Sequence, residues 1–258
     1  MLKLGFKTHR IVFIVSLVVL FLANRYVQFP IFWMAIPVLI FGVNVVVGCI
    51  YVQSQFFIKT FNRSDSSNGI ALTFDDGPHE LWTPKILSIL KEFDAVATFF
   101  VIGENVVKHP QLVQRIHQDG HQIGNHSTTH PSVFAFMPVA AIILEMRKTN
   151  KAVKEIIGLE MRWFRPPFGV LSPRIAKACR ALNFKVIGWS IRSFDTKKVD
   201  VSVLSDRIIS QVSGGKIILF HDRMEQTCDT LRETLLHCRN NGISIVSIEE
   251  MIKQKAYE

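Results

Sequence analysis

Short apolar runs that read as strands alternate through most of this chain with longer amphipathic stretches, and that alternation restricts the fold more than any other feature. The strand-like runs are residues 70–74, 97–102, 121–124, 185–189, 217–220 and 244–247, and residues 83–93 and 111–118 are amphipathic stretches between them. Parallel strands need long crossovers, usually helices, so the pattern predicts an α/β protein built on a parallel sheet or barrel. From about Asn68 onward the chain has roughly 190 residues, the size of one domain. Periodicity alone does not separate a barrel from an open doubly wound sheet.

The N-terminal part obeys a different rule. Residues 11–23 are wholly apolar, and residues 29–52 are apolar apart from isolated Pro30, Pro37 and Asn44. The second run is long enough for a hydrocarbon layer of roughly 30 Å, and the first reaches that length by taking in residues 24–27 with Arg25 snorkelling to the interface. Phe21 and Ala23 form no small-x-small cleavage site, so a removable signal peptide fits poorly. The expected organisation is a membrane-embedded region of two hydrophobic helices over residues 1–58, a linker over 59–68 and the main domain over 69–258. The expected location is a membrane of the bacterial cytoplasmic type. Lys3, Lys7 and Arg10 place the N-terminus in the cytoplasm, and two full spans would return the main domain to that side. A first run that stops short of crossing would place it outside, so the sequence leaves the side open, and the oligomeric state with it.

The formal net charge of +9 divides unevenly, since residues 1–65 hold six Lys/Arg against one acid and so carry +5 of it. No helix-turn-helix, zinc finger or basic stripe accompanies it, so no nucleic-acid partner is expected. A lipid bilayer with anionic headgroups suits the basic flanks. Cys49, Cys179, Cys228 and Cys238 form no Cys-x-x-Cys pair and suggest neither a zinc cluster nor a disulfide framework; buried thiols are the default, with a Cys228–Cys238 pair conceivable if their segments meet.

Two motifs carry chemistry. Thr73-Phe74-Asp75-Asp76-Gly77-Pro78 sets adjacent carboxylates at the end of a strand-like run, where alternation points one toward a metal and the other toward substrate. Read alone, it is also an ordinary turn sequence. His126-Ser127-Thr128-Thr129-His130 places two imidazoles four apart, which one helical turn or a tight loop brings onto one face. Taken together, two imidazoles and one carboxylate make a ligand set with an open position, and the second carboxylate is left over as a base. Such a set suits Zn2+ and also accepts Co2+, Ni2+, Mn2+ or Fe2+.

With these residues the chain resembles the metal-dependent polysaccharide deacetylases of carbohydrate esterase family 4, over about residues 69–252. The resemblance implies a distorted (β/α) barrel of about seven strands. It makes Asp75 the general base and Asp76, His126 and His130 the metal ligands. Arg165-Pro166-Pro167-Phe168-Gly169 matches a further family motif, which implies that Arg165 orients the base and that the backbone N–H at Phe168 helps hold an oxyanion. Ile217-Ile218-Leu219-Phe220-His221 matches another, with His221 as the acid and Leu219 lining the pocket for the acetyl methyl. A fourth motif departs: the family's Asp-x-x-Asp-Trp reads Arg192-Ser193-Phe194-Asp195-Thr196, which keeps Asp195 to tune His221 but replaces the first acid and the tryptophan. The implied activity is removal of N-acetyl groups from N-acetylhexosamine units of a cell-envelope glycan resembling peptidoglycan or chitin. An O-acetyl esterase of xylan-like glycans, a deacetylase of a lipid-linked amino sugar, and a catalytically silent glycan-binding membrane protein are the other readings.

Overall fold

The computed structural model describes residues 5–258, so Lys3 lies outside the described residues. In chain order the elements are α1 (Phe6–Val27), α2 (Ala35–Ile50), β1 (Thr60–Phe61), β2 (Ala71–Asp75), α3 (Trp82–Glu92), β3 (Ala97–Val101), α4 (Gly103–Lys108), α5 (Pro110–Gln118), β4 (Gln122–Asn125), α6 (Val139–Ile157), β5 (Trp163–Phe164), α7 (Pro173–Ala181), β6 (Lys185–Ile187), β7 (Ile191–Arg192), α8 (Val201–Ile209), β8 (Ile217–His221), α9 (Glu225–Asn240) and α10 (Ile248–Ile252). The strands form one sheet in the order β1-β6-β5-β4-β3-β2-β8-β7, and every neighbouring pair is parallel.

The chain itself forces this sheet to curl. Six strand spacings separate β6 from β7, about 29 Å across a flat sheet. Only Gly188, Trp189 and Ser190 connect them, a tether that reaches at most about 14 Å. The two sides of the sheet are therefore drawn together into an incompletely closed (β/α) barrel, with a seam between β1 and β7. Gly188 N donates to Phe61 O at 2.8 Å and Ser190 N to Ile217 O at 2.9 Å, so the tether is bonded to both sides of the seam.

Five of the expected strands form, with ends shifted by one or two residues. The sixth does not: residues 244–247 contribute only a single bridge, Ile245 to Ile70. Three strands escaped the sequence reading, namely β1, inside the stretch read as a linker, β5 and β7. Each has two residues, too few to show a period.

On β2, Phe74 stacks between its register partners Phe99 and Phe220, with ring centroids 5.0 and 5.6 Å away. Strand alternation sends Thr73 and Asp75 to the opposite face, inside the barrel. All four cysteines are free, and Cys228 and Cys238 lie on one helix, α9, rather than on segments that meet.

The segments Phe6–Val27 and Ile31–Ile50 are long and apolar enough to cross a membrane by length and composition, and their side chains are largely exposed. They pair as a hairpin, with Phe13 stacked on Phe41 at 4.6 Å. Both ends lie together at its base, where Phe6 N donates to Phe56 O at 2.8 Å. That base meets the barrel at the seam: Leu171 N donates to Cys49 O at 2.9 Å, and Gln53 Nε2 to Trp189 O at 2.9 Å.

Candidate active site

A cleft of about 180 Å3 opens beyond the C-terminal ends of the strands, lined by Asp75, Asp76, His126, His130, Phe168, Leu219 and His221 together with Gly169, Trp189, Arg192, Thr196 and Arg223. Seven of the nine residues singled out from the sequence face it. The other two, Arg165 and Asp195, are fully buried behind it and hydrogen-bonded to Asp75 and His221.

Asp76, His126 and His130 offer one ligand atom each within 4.8 Å of one another. Asp76 Oδ1 lies 3.5 Å from His126 Nε2 and 3.6 Å from His130 Nε2. Ligands about 2.1 Å from a tetrahedral ion stand about 3.4 Å apart, so the donor set fits a divalent ion of the zinc type. The ring orientation fits too: His126 Nδ1 donates to the Arg165 carbonyl at 2.7 Å, so Nε2 is the nitrogen turned toward the cluster. The histidines converge from a loop rather than from a helical turn. Glu145 on α6 pins that loop by accepting from Thr128 N and Thr129 N at 3.0 and 2.8 Å, and Asn125 Oδ1 accepts from Ser127 N at 2.9 Å.

Asp76, Ser127 and His130 all have left-handed backbones, at φ 77°, 68° and 48°. Each such non-glycine conformation costs on the order of 1–3 kcal/mol and is held by its surroundings. Burial favours a protonated Asp76, but His126, His221 and Arg223 outweigh it and hold the carboxyl well below its ordinary range. Burial likewise opposes a charged His126, and the carboxylates of Asp75 and Asp76 override it to raise its pKa. His130 is pushed down to about 4 by burial and by neighbouring His126, which keeps a lone pair available.

Asp75 sits beside this cluster without belonging to it. Its Oδ1 accepts from Arg165 Nη1 at 2.7 Å, and its Oδ2 is 3.8 Å from His126 Nε2. Arg165 is locked in turn by Thr73 Oγ1 (2.8 Å), the Ile187 carbonyl (3.1 Å) and the Gly188 carbonyl (2.8 Å), with its guanidinium 4.1 Å from the centre of the Phe100 ring. The tether that closes the barrel therefore also orients the arginine that orients Asp75.

Across the cleft, His221 Nδ1 donates to Asp195 Oδ1 at 2.7 Å, leaving Nε2 as the ring nitrogen available to the cleft. Asp195 Oδ2 accepts from His221 N at 2.8 Å and from Thr227 Oγ1 at 2.7 Å. Burial opposes a charged His221, yet the Asp195 hydrogen bond and charge outweigh it, and the imidazole pKa is raised. Phe168, with a left-handed φ of 57°, sets its ring 4.6 Å from that of His130.

Four contributors escaped the sequence reading. Thr73 lies two residues before Asp75, on the same strand face, so period-two alternation carried the signal. Arg223, two residues past His221, forms an ion pair with Asp76, its Nε 2.9 Å from Oδ2. Glu145 has no local signal, because only the fold brings α6 to the loop. Asp222 is buried beneath the Asp75-Asp76 turn; a Cβ at Gly77 would stand 2.0 Å from its Oδ2, so only glycine fits there. Burial pushes the Asp222 carboxyl up to about 7 against the opposing hydrogen bond from Thr83.

The same arrangement of sequence and fold recurs elsewhere. Residues 62–187 match the polysaccharide deacetylase family, a span that includes Asp75, Asp76, His126, His130, Arg165 and Phe168 and stops before Asp195 and His221. A peptidoglycan-N-acetylglucosamine deacetylase of Listeria monocytogenes is 32% identical over 80% of this chain, which spans only 43% of that relative's length. One from Bacillus cereus is 32% identical over 76% of this chain and 71% of its own length. Among solved structures, a peptidoglycan N-acetylglucosamine deacetylase superposes with a TM-score of 0.73 at 30% identity, covering 76% of this chain and 94% of that one. A family 4 pseudoenzyme from Bacillus anthracis superposes at 0.69 with 26% identity, covering 74% and 68%. That pseudoenzyme shows that the fold by itself does not decide activity, while identity at this level across most of a relative's length decides descent: the chain belongs to the polysaccharide deacetylase family.

Proposed function

We propose that this protein is a metal-dependent hydrolase that removes N-acetyl groups from N-acetylhexosamine units of a cell-envelope glycan. The observation that carries the reading is the separation of roles in one cleft. Three ligands converge on one point, a fourth group, Asp75, is held beside them, and a histidine polarised by a buried carboxylate faces them.

A divalent ion held by Asp76, His126 and His130, most simply Zn2+, supplies Lewis acidity toward a carbonyl oxygen and acidifies water. Arg165 fixes Asp75 Oδ1, so Oδ2 is the oxygen left to take a proton from the attacking water. Leu219 and Trp189, which line the cleft, would bound the space for the acetyl methyl, and the Phe168 N–H would donate to the developing oxyanion. His221 Nε2 then gives its proton to the departing amine, and Asp195 stabilises the imidazolium before that transfer. An amide leaves poorly without such an acid, so the His221–Asp195 pair is what equips the cleft for an N-acetyl group. Acetate and a free amino sugar result.

The apolar hairpin is the proposed membrane anchor. With its two ends together, a hairpin that crosses the bilayer would leave the barrel on the same side as the N-terminus, and the Trp189 side of the cleft is close to the hairpin base. This placement also suits a membrane-carried amino sugar as substrate.

Acetate release by the full chain from N-acetylglucosamine oligomers and from peptidoglycan tests the chemistry. Chelation should abolish release and Zn2+ should restore it. Release that survives complete metal removal would overturn the reading. The acid role has its own test. His221 must be protonated to act, so activity falls as pH rises through its pKa. Asp195→Asn removes what raises that pKa, so the basic limb of the kcat/KM profile should move to lower pH, with kcat at pH 8 falling at least about tenfold. An unmoved limb would remove His221 from the mechanism.

A further inference from the structure

One cation in the cleft has no assignment. Arg165 is paired with Asp75 and Arg223 with Asp76, but among the described residues Arg192 has no carboxylate within ion-pair distance. Arg192 is the register partner of Leu219 on the adjacent strand, lines the same cleft and is exposed. Two residues further on, the chain turns through a left-handed Phe194 at φ 62°, which holds the half-buried ring beneath a group of cations. The Arg207 Cζ lies 4.3 Å from the ring centre, Lys197 Nζ 4.8 Å and Arg192 Cζ 5.0 Å. Neither Lys197 nor Arg207 is ion-paired among the described residues. The one acid in this turn, Asp195, is buried and spent on His221 and Thr227.

Three like charges crowded on one ring repel each other, and each cation–π contact at an exposed site returns only about 0.5–1 kcal/mol. A surface serving stability alone would interleave acids here. What this arrangement supplies is an uncompensated positive field at the cleft edge, one strand away from Leu219. We propose that Arg192, Lys197 and Arg207, arranged around Phe194, form a subsite for an anionic group, a carboxylate or phosphate, carried by the glycan next to the N-acetyl group being removed. The proposal rests on the deacetylase reading above and narrows its substrate class to charged glycans. Neutral chitin-like oligomers leave the subsite empty, a muramic-acid unit fills it with a carboxylate, and a sugar linked through a diphosphate fills it with phosphate.

The test uses the full chain in detergent micelles. Acetate release is compared on a neutral N-acetylglucosamine oligomer, a muramic-acid-containing glycan, the same glycan with its carboxylates reduced to alcohols, and an N-acetylglucosamine diphosphate lipid. At low salt, kcat/KM for at least one anionic substrate should exceed that for its uncharged counterpart at least tenfold. The preference should lie in KM and shrink as salt is added. The carboxylate and diphosphate arms show which source the subsite takes. In the variant R192Q/K197Q/R207Q, with folding verified by thermal melting, the preference should fall to near parity. Equal handling of charged and uncharged substrates by the wild type, or a preference that survives the triple substitution, would overturn the subsite. Calorimetric titration with the muramic-acid disaccharide and its reduced form reads the subsite without turnover. A retained binding preference with no acetate release would therefore count against the catalytic reading alone.

Discussion

Asp75→Asn is expected to lower acetate release about 10²–10⁴-fold, the usual contribution of a positioned general base, while the bound metal stays in place. The substitution is nearly isosteric, and an amide oxygen can still accept from Arg165 Nη1, which now reaches Asp75 Oδ1 at 2.7 Å. The other oxygen, however, becomes an NH2 that cannot take a proton from water. The ligand triad of Asp76, His126 and His130 is untouched. Metal content measured beside turnover therefore separates this variant from Asp76→Ala, which should lose both. Activity of Asp75→Asn within about threefold of wild type would remove Asp75 as the base from the mechanism.

Arg165→Met should be strongly destabilising, and its effect would reach the whole fold. The side chain is fully buried and hydrogen-bonded to Asp75, Thr73 and the carbonyls of Ile187 and Gly188. Methionine replaces the volume but strands a buried carboxylate and two carbonyls. Breaking a buried ion pair from one side costs about 3–5 kcal/mol. For a domain of this size that corresponds to a fall in Tm of about 6–20 °C. Adding Asp75→Asn to Arg165→Met should recover part of the lost stability, because it removes the stranded charge. A double variant no more stable than Arg165→Met alone would show that packing, rather than the charge, sets the cost.

The chemistry was easier to read from the sequence than the architecture. Asp75-Asp76 and His126–His130 lie in two short segments whose spacing brings neighbours together within each, and the family resemblance supplied the division into base and ligands. The five longer strands announced themselves by composition. Strands β1, β5 and β7 did not, because a two-residue strand is defined by its neighbours; Ile191–Arg192 is a strand only because β8 lies alongside. Residues 244–247 failed in the opposite sense, having the composition of a strand but only one bridging partner, Ile70. Arg223 and Glu145 were invisible because their partners, Asp76 and the loop at residues 128–129, are far away in sequence. Arg192 was visible as a departure from the family motif, but its lack of an acidic partner is a fact of three dimensions.

The three-residue tether through Gly188, Trp189 and Ser190 has a consequence for how proteins of this kind can vary. It fixes the girth of the barrel, so lengthening it by even one or two residues would let the sheet relax and would draw the Ile187 and Gly188 carbonyls away from Arg165. The width of the cleft is then left to the loops after β4, β5 and β7, while the staves and their hoop stay as they are.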